Sequence, residues 1–261
     1  MIPVLVFDIE TVPDVAGIRK LNHWDADVSD VEVAERAFAA REAATGRGFL
    51  PHHLQRIVAI SCVFRDDDGL RVRSLGDPAD NEAKLIGDFF KTVERYTPQL
   101  VSWNGGGFDL PVLHYRALIH GVAAGRYWDM GDDDRDFKWN NYIGRYHTRH
   151  LDLMDLLAMY QPRASAPLDD LAKLCGFPGK LGMDGSQVWQ AYSEGRLEEI
   201  RNYCETDVMN TWLIYCRFQL MRGVLSSAAF EAEVALAKAL LASLPADHWR
   251  EYLAAWKDAG V

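Results

Sequence analysis

Apolar and polar positions follow two rhythms along the chain, and the balance between them changes near residue 150. The first apolar run, VLVF at 4–7, leads into Asp8, Ile9 and Glu10. It predicts a strand at about 3–9 that is covered on both faces. Residues 22–50 read as an insertion. Within it, Ser29 followed by Glu32 makes a capping-box signature, and the helix that follows has Gly46 as its stop. RIVAISCVF (56–64), DDDG (66–69) and LRVRSL (70–75) predict a β-hairpin. Leu85, Phe89 and Val93 share one face of a helix at 80–96. QLVSW (99–103) is a short strand, and 110–121 is a helix with Pro111 in its first turn, where proline is tolerated. Residues 122–149 are loop-rich. Beyond them the spacing predicts helices at about 152–160, 167–175, 186–194, 197–222, 226–243 and 246–258. Strands interleaved with helices, then helices alone, describe an α/β fold with a mixed sheet flanked by helices.

Composition narrows the class. The chain has 261 residues, 49% hydrophobic and 25% charged, which suits one large globular domain, or one domain with an extension. Its net charge of −10 argues against broad non-specific binding to duplex DNA or anionic lipid. It does not exclude an enzyme that grips a short end of nucleic acid. Cys62, Cys175, Cys204 and Cys216 show no C-x-x-C spacing and read as reduced thiols in a cytoplasmic protein. No leader or membrane span is expected from the apolar runs.

Three stretches carry candidate chemistry. In VLVFDIETVPD (4–14), side chains alternate, so Asp8 and Glu10 point to the same side of the strand. Two like charges at the edge of an apolar layer raise each other's pKa unless a cation sits between them. The stretch also fits a strand that ends at Phe7 with both acids in a solvated turn. In SWNGGGFDLPVL (102–113), three glycines allow a tight turn, and Asp109 opens a helix, where it also fits a plain N-cap. In RNYCETDVMNTW (201–212), Tyr203 and Asp207 share a helix face with Ile200, Val208, Thr211 and Ile214. An aspartate on an apolar stripe needs a partner or a metal, and a Tyr–Asp hydrogen bond at a wet edge also fits. Taken together, the four carboxylates form a hard oxygen set suited to Mg²⁺ or Mn²⁺. Four acids can hold two ions, the layout for two-metal hydrolysis of a phosphodiester.

The order D-x-E (Asp8, Glu10), N-x(3)-F-D (Asn104, Phe108, Asp109) and Y-x(3)-D (Tyr203, Asp207) resembles the three motifs of proofreading 3′–5′ exonucleases with a ribonuclease-H-like fold, in their tyrosine-bearing subclass. FDIET (7–11) and WNGGGFD (103–109) resemble the exonuclease domain of family B DNA polymerases, and the whole chain resembles stand-alone bacterial relatives of that domain. The resemblance covers about residues 3–222. It implies a ribonuclease-H-like mixed sheet, an exonuclease domain at 1–222, and a helical extension at 223–261 packed on the same domain. It implies Asp8, Glu10, Asp109 and Asp207 as ligands of two Mg²⁺ or Mn²⁺ ions. Tyr203 would orient the attacking water, and Asn104 would contact the substrate backbone or the ligand shell. The sister subclass has a histidine where Asn202 stands, which leaves the tyrosine assignment.

The implied substrate is the 3′ end of a single strand, DNA ahead of RNA, with release of nucleoside monophosphates and no obligate protein partner. A non-catalytic end binder is the alternative of a different class, but it gains nothing from concentrating acids near phosphate. Weaker candidates remain. Lys180, in FPGKLGMDGS, reads first as a solvated turn lysine and second as a contact to substrate phosphate. Trp103 reads first as core at a strand end and second as a stacking surface for a terminal base. Asp152 reads first as a helix cap, second as support for the ligand set. Arg145, His147 and Arg149 form a small basic patch that fits a path for the strand.

Overall fold

Alternation along β1 (Val4–Pro13) sorts its side chains onto two faces. Val4 and Val6 enter one core, which is capped by α9 (Leu197–Met221). Leu5, Phe7 and Ile9 enter another, beneath α3 (Glu82–Tyr96) and α4 (Asp109–His120). A strand covered on both faces reads as a continuous apolar run, which is why VLVF is so plain in the sequence. The computed structural model describes residues 2–258.

β1 is central. It pairs antiparallel with β2 (Gln55–Asp66) and parallel with β4 (Gln99–Ser102). β2 turns back into β3 (Gly69–Ser74), and β4 pairs parallel with β5 (His150–Asp152). The sheet order is β3-β2-β1-β4-β5. This is the mixed sheet expected from the sequence. Two strand readings need correction. β1 runs on to Pro13 rather than stopping near 9, because β2 continues to pair with it past a bulge between Glu10 and Thr11. β5 falls where no strand is expected. It is three residues long and has only Leu151 as an apolar signal.

α1 (Val15–Asn22) and α2 (Asp30–Thr45) form a satellite around Ile18, Val33 and Leu50. Ser29 caps α2 by accepting from the Glu32 N–H, and Gly46 ends it in the left-handed region. The 122–149 segment holds one short α-helix, α5 (Gly125–Trp128), and a 3₁₀ turn at Arg135–Lys138. After β5 come α6 (Leu153–Leu157), α7 (Leu168–Leu174) and α8 (Val188–Ser193), all short. α10 (Ser227–Ser243) and α11 (Asp247–Asp258) pack Phe230, Leu241, Trp249 and Tyr252 into the same core as α9. α9 is therefore buried between the sheet and the last two helices. This explains why its apolar positions run around the helix rather than along one stripe. Among the described residues no helix is long and apolar enough to cross a membrane.

Candidate functional site

The alternation that places Val4 and Val6 under α9 places Asp8 and Glu10 on the same face two and four residues later. α9 crosses there and presents Tyr203, Cys204 and Asp207, all buried. Oxygen atoms of Asp8 and Glu10 and the Cys204 sulfur all lie within 4.8 Å of one another. Asp109 arrives from the other direction. β4 pairs with β1 only as far as Val6, so the Ile9 N–H has no strand partner on that side. Asp109 Oδ1 accepts from it at 3.1 Å. The N-cap position of α4 belongs to Phe108, so the carboxylate of Asp109 reaches the sheet instead of capping the helix.

The loop that delivers Asp109 is rigidly built. Gly105 lies so close to β4 that a Cβ there would stand 2.3 Å from Ser102 Oγ. Asn104 adopts a left-handed backbone with φ 67°. Its N–H and that of Gly106 donate to the two oxygens of Asp152, at 3.0 and 2.8 Å. Asp152 also caps α6, the role read first for it. Its second job, holding the glycine loop, carries no sequence signal.

Lys180 is the main correction. It is not a solvated turn lysine. Its ammonium lies 2.9 Å from Asp207 Oδ2 and donates to the Tyr203 hydroxyl. Trp103 packs at the strand end against the core, as read first. The basic patch is largely committed elsewhere. Arg149 stacks 3.8 Å over Phe137 and binds the Asn140 carbonyl, His147 Nδ1 accepts from the Asn141 N–H, and Arg145 pairs with Asp155. Cys204 was missed as a member of the site. It stands four residues after Ile200 and three before Asp207, on the helix face that carries both, and that spacing could have flagged it.

The electrostatics are those of an unbalanced cluster. Burial raises Asp8 well above the usual carboxylate range, and the charges of Asp109 and Asp207 raise it further. Burial does the same to Glu10, followed by Asp8 and Asp207. Asp109 is pushed up to about 7 by burial, against the opposing hydrogen bond from Ile9. Burial raises Asp207 as well, held back by Lys180 and by the Tyr203 hydroxyl. Burial works to discharge Lys180, but Asp207, Asp8 and Glu10 outweigh it and the ammonium stays charged. Burial, then Asp207 and Glu10, push Tyr203 far above the phenol range, so it keeps its proton. Burial likewise keeps the Cys204 thiol protonated, and it donates to Asp8 Oδ2 at 3.4 Å.

The residues present fit a hard divalent cation. Among the described residues Asp8, Glu10 and Asp207 face a single ammonium, Asp109 adds its charge beside Asp8, and Asp207 Oδ1 is buried with no hydrogen-bond partner. A protonated thiol is a poor ligand for Mg²⁺ or Mn²⁺, which leaves Cys204 as a donor to Asp8 rather than a member of the ligand set.

Comparison with known proteins bears on the family and the fold. Residues 47–256 match the family described as "Predicted 3'-5' exonuclease related to the exonuclease domain of PolB". A DNA polymerase of Archaeoglobus fulgidus is 27% identical over 161 residues, covering 60% of this chain and 19% of the polymerase. The family B DNA polymerase of the hyperthermophilic archaeon Pyrobaculum calidifontis is similar in fold, with a TM-score of 0.54 and 18% identity. The match covers 93% of this chain and 29% of that one. The chain thus spans less than a third of the length of either polymerase.

Proposed function

The chain belongs to the predicted 3′–5′ exonucleases related to the exonuclease domain of PolB, and from that premise we propose that it removes nucleotides one at a time from the 3′ end of single-stranded DNA. One observation supports this reading above the rest. Strand, loop and helix bring four acids together in a buried space with, among the described residues, one ammonium beside them. Such an arrangement is costly for folding alone and suited to holding cations against a phosphodiester.

Asp8, Glu10, Asp109 and Asp207 would hold two Mg²⁺ or Mn²⁺ ions. When bound, the ions supply positive charge to the scissile phosphate and lower the pKa of the attacking water. The chain's own residues do the rest. Tyr203 keeps its proton, so it orients the water by hydrogen bonding and does not act as a base at neutral pH. Lys180, already charged beside Asp207, is placed to meet a phosphate oxygen. Asn104, on the glycine loop before Asp109, contacts the substrate backbone, and Trp103 closes the strand end behind it. Residues 1–222 carry the chemistry, and α10 and α11 support it from the far side of α9; residues 259–261 of the extension lie outside the described residues.

End-labelled single strands of DNA and RNA with the same sequence test this, in Mg²⁺, Mn²⁺ or chelator. A 5′ label is expected to give a descending ladder on DNA with either metal. A 3′ label is expected to appear at once as mononucleotide. Early release of a 5′-terminal mononucleotide, or unchanged degradation in chelator, would overturn the proposal.

A further inference from the structure

A lysine has a long flexible stem, and holding its head in one place requires that its backbone be fixed. Lys180 lies on the loop between α7 and α8, and that loop is clamped from behind. Asp169 Oδ1, from α7, accepts the Lys180 N–H at 2.7 Å. Gly179, with φ +73°, comes so near that a Cβ would stand 2.4 Å from the same oxygen. The Asn210 amide grips Gly179 at both ends. Its Nδ2 donates to the Gly179 carbonyl at 2.8 Å, and its Oδ1 accepts the Gly179 N–H at 3.2 Å. The Tyr252 hydroxyl, from α11, donates to that same Oδ1 at 2.7 Å. Asn210 and Tyr252 are both fully buried.

Burying an amide and a phenol here forgoes hydration that an apolar pair would not have to lose. What the polar pair adds is orientation. With Oδ1 held by Tyr252, the amide cannot flip without turning its NH₂ toward the Gly179 N–H. Asn210 also stands three residues after Asp207 on α9, so one helix fixes both the carboxylate and the clamp on the lysine that meets it.

We propose that Asn210 and Tyr252 are positioning residues of the exonuclease site, through which α11 holds the Lys180 ammonium against Tyr203 and Asp207. The proposal rests on the function above and gives the last helix a part in it. It touches no substrate; it acts through Lys180.

The test is a double-mutant cycle on the full chain with end-labelled single-stranded DNA. Tyr252→Phe is expected to lower kcat about tenfold with KM within about twofold, the lower end of what outer-shell partners cost. Asn210→Ala is expected to cost more. In a Lys180→Ala background, Tyr252→Phe should cost nothing further, because the group it positions is gone. Tyr215→Phe is the control. It removes a partly buried hydroxyl bond of similar length, 2.8 Å to Gln99, that does not lead to Lys180, and kcat should be unchanged. A Tyr252→Phe effect that multiplies in the Lys180→Ala background, or a wild-type kcat in Tyr252→Phe, would overturn the proposal. The ¹⁵Nζ resonance of Lys180 in chelator reads the same contact without turnover. It should move toward the value of a solvated lysine in Asn210→Ala, and an unmoved resonance would overturn the proposal as well. An inactive wild type would refute the function while leaving this second readout to decide on the clamp.

Discussion

Two groups of buried acids lie within a few residues of each other at the end of β1, and the chain treats them in opposite ways. Asp14 and Glu82 share Arg116. Its guanidinium stands 2.5 Å from each of them and bonds Glu82 a second time through Nε at 2.8 Å. Every oxygen of the two carboxylates is occupied, those of Glu82 twice. Glu82 accepts the Ile57 N–H and His120 Nε2 at 2.7 Å, and Asp14 caps α1 by accepting from the Gly17 N–H. A planar fork with several donors closes this cluster, and in doing so it ties β2, α3, α4 and the end of β1 together. Among the described residues, Asp8, Glu10, Asp109 and Asp207 have Lys180 as their one cationic neighbour, with single bonds from the Ile9 N–H to Asp109 and from the Cys204 thiol to Asp8, and Asp207 Oδ1 has no hydrogen-bond partner. The first group is complete as folded. The second has its charge left open toward whatever binds there.

The widest contrast is expected from removing one member of each group. Asp8→Asn should lower turnover on single-stranded DNA by more than ~100-fold, beyond the range typical of outer-shell partners. It should leave urea melts unchanged or shifted upward. Arg116→Leu should do the reverse. It strands two buried carboxylates and should cost about 3–5 kcal/mol in the same melts, with near-normal turnover in the chain that remains folded. Normal turnover in Asp8→Asn, or an Arg116→Leu chain as stable as wild type, would break the contrast.

A smaller effect should appear in the pH dependence of stability in chelator. Asp109 has a folded pKa of about 7 against an ordinary value of 3.8. Between those values the folded chain keeps a proton that the unfolded chain has released, so stability at this position is full below about pH 4 and is lost as pH rises toward 7. Asp109→Asn removes that loss and keeps an oxygen for the Ile9 N–H. It should melt higher than wild type at pH 8, by on the order of 1 kcal/mol, and about equal to it at pH 4. A variant that melts lower at both pH values would show that the charge at 109 is not strained.

The legible part of the site was the part carried by spacing. Asp8 and Glu10 follow from alternation on a strand, and Tyr203 and Asp207 from one turn of a helix, so local geometry alone brings each pair to one side. Asp109 was legible because three glycines precede it. Lys180 was not, because its contact with Tyr203 depends on a clamp assembled from Asp169, Asn210 and Tyr252, which no local pattern brings together. The fold divides in the same way. Long apolar runs announced β1, β2 and the late helices, whereas β5 takes its place through pairing with β4 and not through its own three residues. The Arg116 cluster was also invisible. Asp14, Glu82 and Arg116 look like ordinary surface charges until the sheet and two helices close over them.

The smallest effect concerns Cys204, which donates to Asp8 across 3.4 Å. A thiol bond of that length is weak, and a protonated sulfur does not suit a hard cation. Cys204→Ala should change turnover less than about tenfold and leave the choice between Mg²⁺ and Mn²⁺ as in wild type. A switch in metal preference, read in parallel assays with each ion, would place the sulfur in the ligand set.

The claim on which everything else depends is that the open cluster, and not the closed one, is a divalent cation site. Calorimetric titration with Mn²⁺ of wild type, Asp207→Asn and Asp14→Asn measures this without requiring turnover. Wild type and Asp14→Asn should bind Mn²⁺ with the same affinity, while Asp207→Asn should lose at least about tenfold. Equal binding by all three chains, or no binding by wild type, would mean that the four acids do not hold the metal.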